Sequence, residues 1–192
     1  MPIMPVGERF ICRTSAWRSF ARRIALWATS HEPLTGDVLE IGGGSGAMAE
    51  AVLRRFPDIR LTVADLDPLM VRAIEGELGG RATAVVADAT ALPFDDASFD
   101  VVTSYLMLHH IGTWEDAVTE AVRVLRPGGR FIGYDVVDTG ISRAFHHADG
   151  IHDLRSITDV SLRAALGAAG VTDVTTRRGR TGLTLRWVAR KT

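Results

Sequence analysis

The sequence predicts an α/β fold: a seven-stranded, mostly parallel sheet with helices on both faces and an antiparallel hairpin at the C-terminal end. Three observations carry this. From residue 37 onward, apolar runs of strand length alternate with amphipathic helical stripes, the pattern of a parallel sheet covered on both sides. The stretch LEIGGGSG, residues 39–46, places four glycines at the end of the first run. After the fifth run, two strand-like segments are separated by a glycine-bearing loop short enough for a hairpin.

The elements follow in chain order. Pro2 and Pro5 predict an extended leading end, then Trp17, Phe20, Ala21, Ile24, Trp27 and Ala28 form an apolar stripe on a helix whose other face carries arginines. Such a helix packs on the sheet or lids a pocket. DVLEI, IRLTVA, ATAVVA, FDVVTS and RFIGYDVV are the five strand candidates of the core. Between them, Met48, Ala51, Val52 and Phe56 make one helical stripe, and Trp114, Ala117, Val118, Ala121, Val122 and Leu125 make another. Residues 135–157 are polar and rich in histidine. Thr158 then caps a helix with Leu162, Ala165, Leu166 and Ala169 inward, ended by Gly170. VTDVTT and LTLRWVA, joined by RRGRTG, supply the hairpin. The expected organisation is one domain: a helical cap or lid over 1–34, a binding core over 35–137, a substrate-side insert over 138–157, and a C-terminal helix and hairpin over 158–192.

A chain of 192 residues with 46% hydrophobic content is long enough to bury its own core. The formal charge of −1, from 22 basic and 23 acidic residues, argues against nucleic acid or an anionic membrane as the main partner. Apolar stretches such as ALWATS and SYLML fall far short of the ~18 residues a membrane span needs, and no secretory segment follows Met1. Arg9, Arg13, Arg18, Arg22 and Arg23 form an acid-free run like that of a transit peptide, but a native amphipathic helix explains it better. The expectation is a soluble, cytoplasmic monomer or homodimer. Cys12 is the only cysteine, so no disulfide forms within the chain. Asparagine and glutamine are absent and Lys191 is the sole lysine, so carboxylates and main chain must do the polar recognition.

The glycine loop lies between the first strand and a helix beginning near Gly46, where main-chain N–H groups gather at a positive helix end. Gly42-x-Gly44-x-x-Ala47, with Asp65 nineteen residues beyond Gly46, satisfies the relaxed dinucleotide fingerprint. Two features weigh against a nicotinamide cofactor. Glu40 stands two residues before Gly42, where a pyrophosphate would be repelled, and Asp88 completes a series of acids at three successive strand ends. Such a crevice suits a cationic, hydroxyl-rich ligand.

With these residues in order, the chain resembles the class I S-adenosylmethionine-dependent methyltransferases, in particular the small-molecule group that includes the ubiquinone and menaquinone biosynthesis enzymes. VLEIGGGSG is similar to the first motif of that family and VADLDPLMV to the second. VVADATALPFDDASFDVV is similar to the third and fourth, and LHHIGTWEDAVTEAVRVLRPGGRFI to the segment through the fifth strand. The resemblance covers about residues 37–137 and implies a Rossmann-like sheet. It implies that Gly42 and Gly44 border the methionine end of S-adenosylmethionine, with Glu40 orienting that end and Gly46 also in the cofactor set. Asp65 would take the ribose hydroxyls, Leu66 would lie on the adenine, and Asp88 would accept from its amine. The Ala89 backbone would meet the ring, and Ser104 completes the cofactor set. S-adenosylhomocysteine would be the product.

Methyl transfer from a sulfonium needs alignment more than acid–base machinery, so a missing catalytic dyad would not count against an enzyme. Where a base is needed, His109 and His110 are the first candidates because they follow the fourth strand; Tyr105 and Asp135 are weaker ones. Trp17, His109, Asp135 and His146 are candidates for the acceptor pocket. His146, His147 and His152, with Asp149 and Asp153, could ligate a metal, but adjacent histidines in a loop are usually solvated, and none is expected. The Asp/Asn-Pro-Pro-aromatic motif of nucleic-acid amino methylation is absent, and SYLM stands after the fourth strand. The expected acceptor is a small, partly apolar metabolite. A non-catalytic S-adenosylmethionine sensor or partner subunit is the alternative, and an NAD-dependent oxidoreductase the lesser one.

Overall fold

The structure, a computed structural model, describes residues 14–30, 32–137 and 157–192. Seven strands form one sheet in the order β3-β2-β1-β4-β5-β7-β6: β1 Asp37–Ile41, β2 Arg60–Asp65, β3 Thr83–Val86, β4 Phe99–Tyr105, β5 Leu125–Val136, β6 Asp173–Arg178 and β7 Thr184–Arg190. Strands β1 to β5 run parallel. β7 is antiparallel to both β5 and β6, so the last two strands form the expected hairpin inserted at the sheet's far side. The order reverses between β1 and β4, the point at which open α/β sheets bind their ligands.

Among the described residues five helices cover the sheet: α1 Ser15–Ala28, α2 Ala47–Arg55, α3 Pro68–Leu78, α4 Trp114–Val124 and α5 Asp159–Ala168. Side chains alternate across each strand, so the two faces feed two cores. Val38, Val63, Val101, Ile132 and Tyr134 pack under α1, α2 and α3, whereas Leu39, Val102, Phe131, Leu185 and Trp187 pack under α4 and α5. The stripe on α4 is buried as its spacing predicts, from Trp114 at 1% exposure to Val122 at 4%. Thr158 caps α5 in a capping box with Ser161. Since burial of apolar surface stabilises by roughly 25 cal/mol per Å², such apolar faces, more than helix propensity, hold the helices in place.

Three details depart from the expectation. No helix joins β3 to β4; residues 87–98 turn instead, closed by a bridge between Asp88 and Ala91. β5 begins at Leu125 rather than Arg130, because Leu125 pairs with Phe99 before the register shifts at the glycines. On α1 the expected stripe holds at Ala21 and Ala28, joined by Ala25, with Trp17, Ile24 and Trp27 packed against the same core, while Phe20 is exposed. Small residues at i, i+4 and i+7 let that helix lie close against its neighbours, α2 foremost.

Candidate active site at the carboxyl ends of the strands

The glycine loop is held by main chain and by one carboxylate. Gly42 and Gly43 donate to the Ala64 carbonyl at 2.8 and 3.2 Å, which ties the loop to the end of β2. Gly42 has φ +74°, and a Cβ there would fall 2.0 Å from Met107 Cγ, so this position admits only glycine. Gly44, at φ +53°, would meet nothing within 4 Å. Its side of the loop is open toward the crevice. Gly46 is the left-handed N-cap residue of α2.

Asp65 braces this loop from the neighbouring strand. Its Oδ2 accepts from Gly44 N–H at 2.8 Å and its Oδ1 from Asp67 N–H at 2.9 Å. Burial raises its pKa above the usual carboxylate range, against those two hydrogen bonds, which lower it. Asp67 then caps α3 through Leu69 N–H at 2.9 Å. Leu66, between them, is half-buried. Asp88 accepts from both the backbone N–H and the hydroxyl of Thr90, at 2.9 and 2.8 Å, and these bonds, the backbone one foremost, hold its pKa low. Asp65 and Asp88 therefore shape turns while also standing at the crevice, and Ala89 is buried beside them.

Glu40 is the anomalous group. It is 2% exposed, and its Oε2 has no hydrogen-bond partner. Burial, with the Asp65 charge adding to it, pushes its carboxyl up to about 8. A buried acid left incomplete beside a glycine loop has the chemistry to receive a cation, which would restore its ionised form. These residues thus fit a donor whose amino-acid end carries an ammonium group.

On the other side of the reversal point, β4 ends in a tight passage. Leu106 is held at φ +53°, a costly conformation for leucine, by its N–H bond to the Tyr134 carbonyl at 2.9 Å. A single 3₁₀ turn, Leu108–His110, follows. It brings His109 onto Asp135 of β5: Nδ1 lies 2.5 Å from Oδ1, and the His109 backbone N–H donates to Oδ2 at 3.3 Å. Oδ1 also accepts from Val136 N–H at 2.7 Å. An imidazole that donates its Nδ1 proton to Asp135 would have its lone pair on Nε2. The His110 ring lies against that of His109, centroids 3.9 Å apart.

Several expected site residues are placed differently. Asp135 is fully buried beneath His109 and so orients the imidazole instead of lining a pocket. Tyr105 is 4% exposed and burial raises its pKa, with the Glu40 charge adding, so the phenol stays neutral and does not serve as a base. Ser104 is fully buried on the α4 face with Oγ lacking a hydrogen-bond partner. Trp17 is half-buried on α1, its ring 5.4 Å from Phe20. His146, His147 and His152 lie outside the described residues. Among the described residues no His, Cys, Asp or Glu cluster could hold a metal, and no helix is long and apolar enough to cross a membrane.

The sequence reading missed Arg186. It sits mid-β7 in phase with Val188, opposite Tyr134, and is only 8% exposed. Its Nε donates to the Ala28 carbonyl at the end of α1, at 2.8 Å, and burial lowers its pKa. The signal available was the alternation in TLRWVAR, which places an arginine among buried positions.

Comparison with known proteins agrees with this layout. Residues 39–133 match the methyltransferase domain family. The ubiquinone/menaquinone biosynthesis C-methyltransferase UbiE of Dinoroseobacter shibae is 41% identical over 100 residues, covering 50% of this chain and 40% of that protein. The chain thus spans less than half the length of that relative. A chain of the complex between the Haloferax volcanii Trm112 methyltransferase activator and its methyltransferase superposes with a TM-score of 0.78 at 20% identity, covering 95% of this chain and 97% of the other. The [4+2]-cyclase SpnF superposes with a TM-score of 0.74 at 23% identity, covering 93% of this chain and 83% of the other. At these identities the structures speak for the fold. The matched domain, the UbiE relatives and the sheet topology together support a class I S-adenosylmethionine-dependent methyltransferase.

Proposed function

We propose that the protein transfers a methyl group from S-adenosylmethionine to a small, partly apolar acceptor whose nucleophilic atom must lose a proton. The His109–Asp135 pair carries this reading. It stands at the end of β4, beside the glycine loop, where an acceptor and a donor held on β1 and β2 would meet. S-adenosylmethionine supplies an activated methyl group, which leaves with its bonding electron pair remaining on sulfur. Glu40 would receive the donor's ammonium, Asp65 the ribose hydroxyls and Asp88 the adenine amine, with the open side of Gly44 leaving room for backbone contact. His109 Nε2 would take the acceptor's proton as the new bond to carbon forms, while Asp135 holds the ring and stabilises the imidazolium. A positioned base of this kind adds ~10²–10⁴-fold, and alignment of the two reactants supplies ~7–11 kcal/mol of the barrier reduction.

Binding of S-adenosylhomocysteine by calorimetry, followed by a metabolite screen with methyl-labelled donor, tests the proposal. Label transferred to an acceptor supports it. Tight donor binding without any acceptor would favour a second reading, a donor-binding protein without methyl transfer. A structural relative whose name is that of a cyclase keeps that reading in view. Tighter binding of NAD than of S-adenosylhomocysteine would overturn both.

A further inference from the structure

Beneath the C-terminal end of α1 lies a cation with no ion pair among the described residues. Arg186 donates from Nε to the Ala28 carbonyl, yet its Nη2 is buried with no hydrogen-bond partner. The acid that acts on it most, Glu32, is paired with Arg130 at 2.7 Å. One row along the same sheet face, Tyr105 also has a buried hydroxyl without a partner: Tyr105 pairs with Tyr134, and Tyr134 with Arg186. A role in capping α1 explains Nε alone. It leaves Nη2, and the phenol, unsatisfied in a region where an orphaned polar group is costly.

We propose that Arg186 and Tyr105 form a carboxylate subsite, and that the acceptor is an organic acid seated by it. Charge decides the class: one buried guanidinium and one neutral hydroxyl balance a single negative charge, which a carboxylate has and a phosphate dianion exceeds. Shape agrees, because the planar fork of arginine matches two carboxylate oxygens. Position favours the acceptor over the donor. Arg186 is three strand spacings from Glu40 in the order β1-β4-β5-β7, roughly 14 Å between backbones; it lies on the β4–β5–β7 side of the reversal point, on the sheet face that α1 covers, opposite to the face of Asp135. This assignment rests on the methyltransferase reading only in naming the ligand as the acceptor.

Benzoate and benzamide, alike in shape and different in charge, are the probes, titrated by ligand-observed NMR with and without S-adenosylhomocysteine. The expected result is at least about tenfold tighter binding of benzoate to the wild type, a preference lost in Arg186→Met, partly kept in Arg186→Lys and weakened in Tyr105→Phe. Because Arg186→Met also removes the α1 contact, Arg186→Lys and the wild-type preference decide the matter should that variant fold poorly. In parallel, S-adenosylhomocysteine is compared with 5′-methylthioadenosine, which lacks the amino-acid end. Loss of affinity in Arg186→Lys for the first ligand and not the second would assign the carboxylate to the donor and overturn the acceptor assignment. Equal binding of benzoate and benzamide, with donor affinity unchanged in the variants, would overturn the subsite and leave Arg186 a helix anchor. Failure of the wild type to bind either nucleoside would strike the methyltransferase reading, whereas the benzoate comparison without nucleoside still decides the subsite.

Discussion

The two sides of the reversal point are built by different means. On the β1–β2–β3 side, the proposed donor contacts would come from glycine backbone and from acids at strand ends, each braced by a neighbour a few residues away, as Asp65 is by Asp67 and Asp88 by Thr90. On the β4–β5–β7 side the working groups are long side chains joined across the sequence: His109 to Asp135 over 26 residues, Arg186 to Ala28 over 158. Local construction suits a ligand that never changes. Side-chain construction lets the acceptor vary while the backbone stays put, which is how one fold comes to serve many chemistries.

The largest effect should come from breaking the second side alone. His109→Ala is expected to lower kcat by ~10²–10⁴-fold, the range for a positioned general base, while S-adenosylhomocysteine affinity by calorimetry stays as in the wild type. Asp135→Asn keeps the side chain's size but lets the imidazole adopt the other tautomer. Its loss should be smaller and fall on kcat rather than KM. Equal kcat in His109→Ala and wild type would remove the base from the mechanism and leave the pair a structural contact.

The converse variant, Asp65→Ala, should act on the first side. Hydrogen bonds from two hydroxyls to a charged group contribute ~1.5–3 kcal/mol each, so S-adenosylhomocysteine binding should weaken by about 10²-fold or more. Loss of the Gly44 and Asp67 bonds should also lower the melting temperature. Near-normal affinity together with a lowered melting temperature would show that Asp65 is a loop brace and nothing more.

That contrast also governs what could be read in advance. The glycine loop, Glu40, Asp65 and Asp88 are visible as a short motif followed by acids at the ends of apolar runs, because the chain that makes each contact is the chain that displays it. The turn between β3 and β4 was not visible, since no stripe marks the absence of a helix. On α1 the aromatic stripe was legible, but Phe20 turns out to be exposed and Ala25 buried beside Ala21 and Ala28. His109 was a reasonable candidate from its place after β4. Its tie to Asp135 was not legible, because it depends on a strained Leu106 and on the register of β5 against β4. Arg186 was hidden for the same reason: only the packing of α1 over β7 makes it a buried cation.

Glu40 gives a third test, through pH. Its carboxyl titrates at an ordinary 4.5 when unfolded and at about 8 when folded. Between those values the folded chain keeps a proton that the unfolded chain gives up, so stability should fall as pH rises through that window and level off above it. The total is on the order of a few kcal/mol. Glu40→Gln should match the wild type near pH 4 and melt higher at pH 8, while binding the donor less well. Since a bound ammonium favours the ionised acid, donor binding to the wild type at pH 7 should release a proton, seen as a buffer-dependent enthalpy. Parallel stability profiles for the two proteins would place the Glu40 titration elsewhere.

The smallest effect concerns α1, which touches both sides and is tied to each in the manner of that side. Toward α2 and α3 it offers exposed ion pairs. Arg18 makes a two-pronged contact with Glu77, one prong at 2.5 Å, and Arg22 Nε lies 3.5 Å from Glu50, which Arg54 also pairs. Toward β5 and β7 it offers a buried anchor, the Arg186 bond to Ala28 and the Trp27 ring set edge-on to Tyr134, centroids 5.8 Å apart. Arg18 is 42% exposed, so its pair is screened by solvent and Arg18→Ala should cost only ~0.2–1 kcal/mol. Hydrogen exchange in α1 should quicken slightly at low salt. In 1 M salt, where the screening length is ~3 Å, the variant and the wild type should converge. A difference that persists at high salt would mean that Arg18 holds α1 by packing of its aliphatic stem rather than by charge, and would make the two attachments of the helix alike in kind.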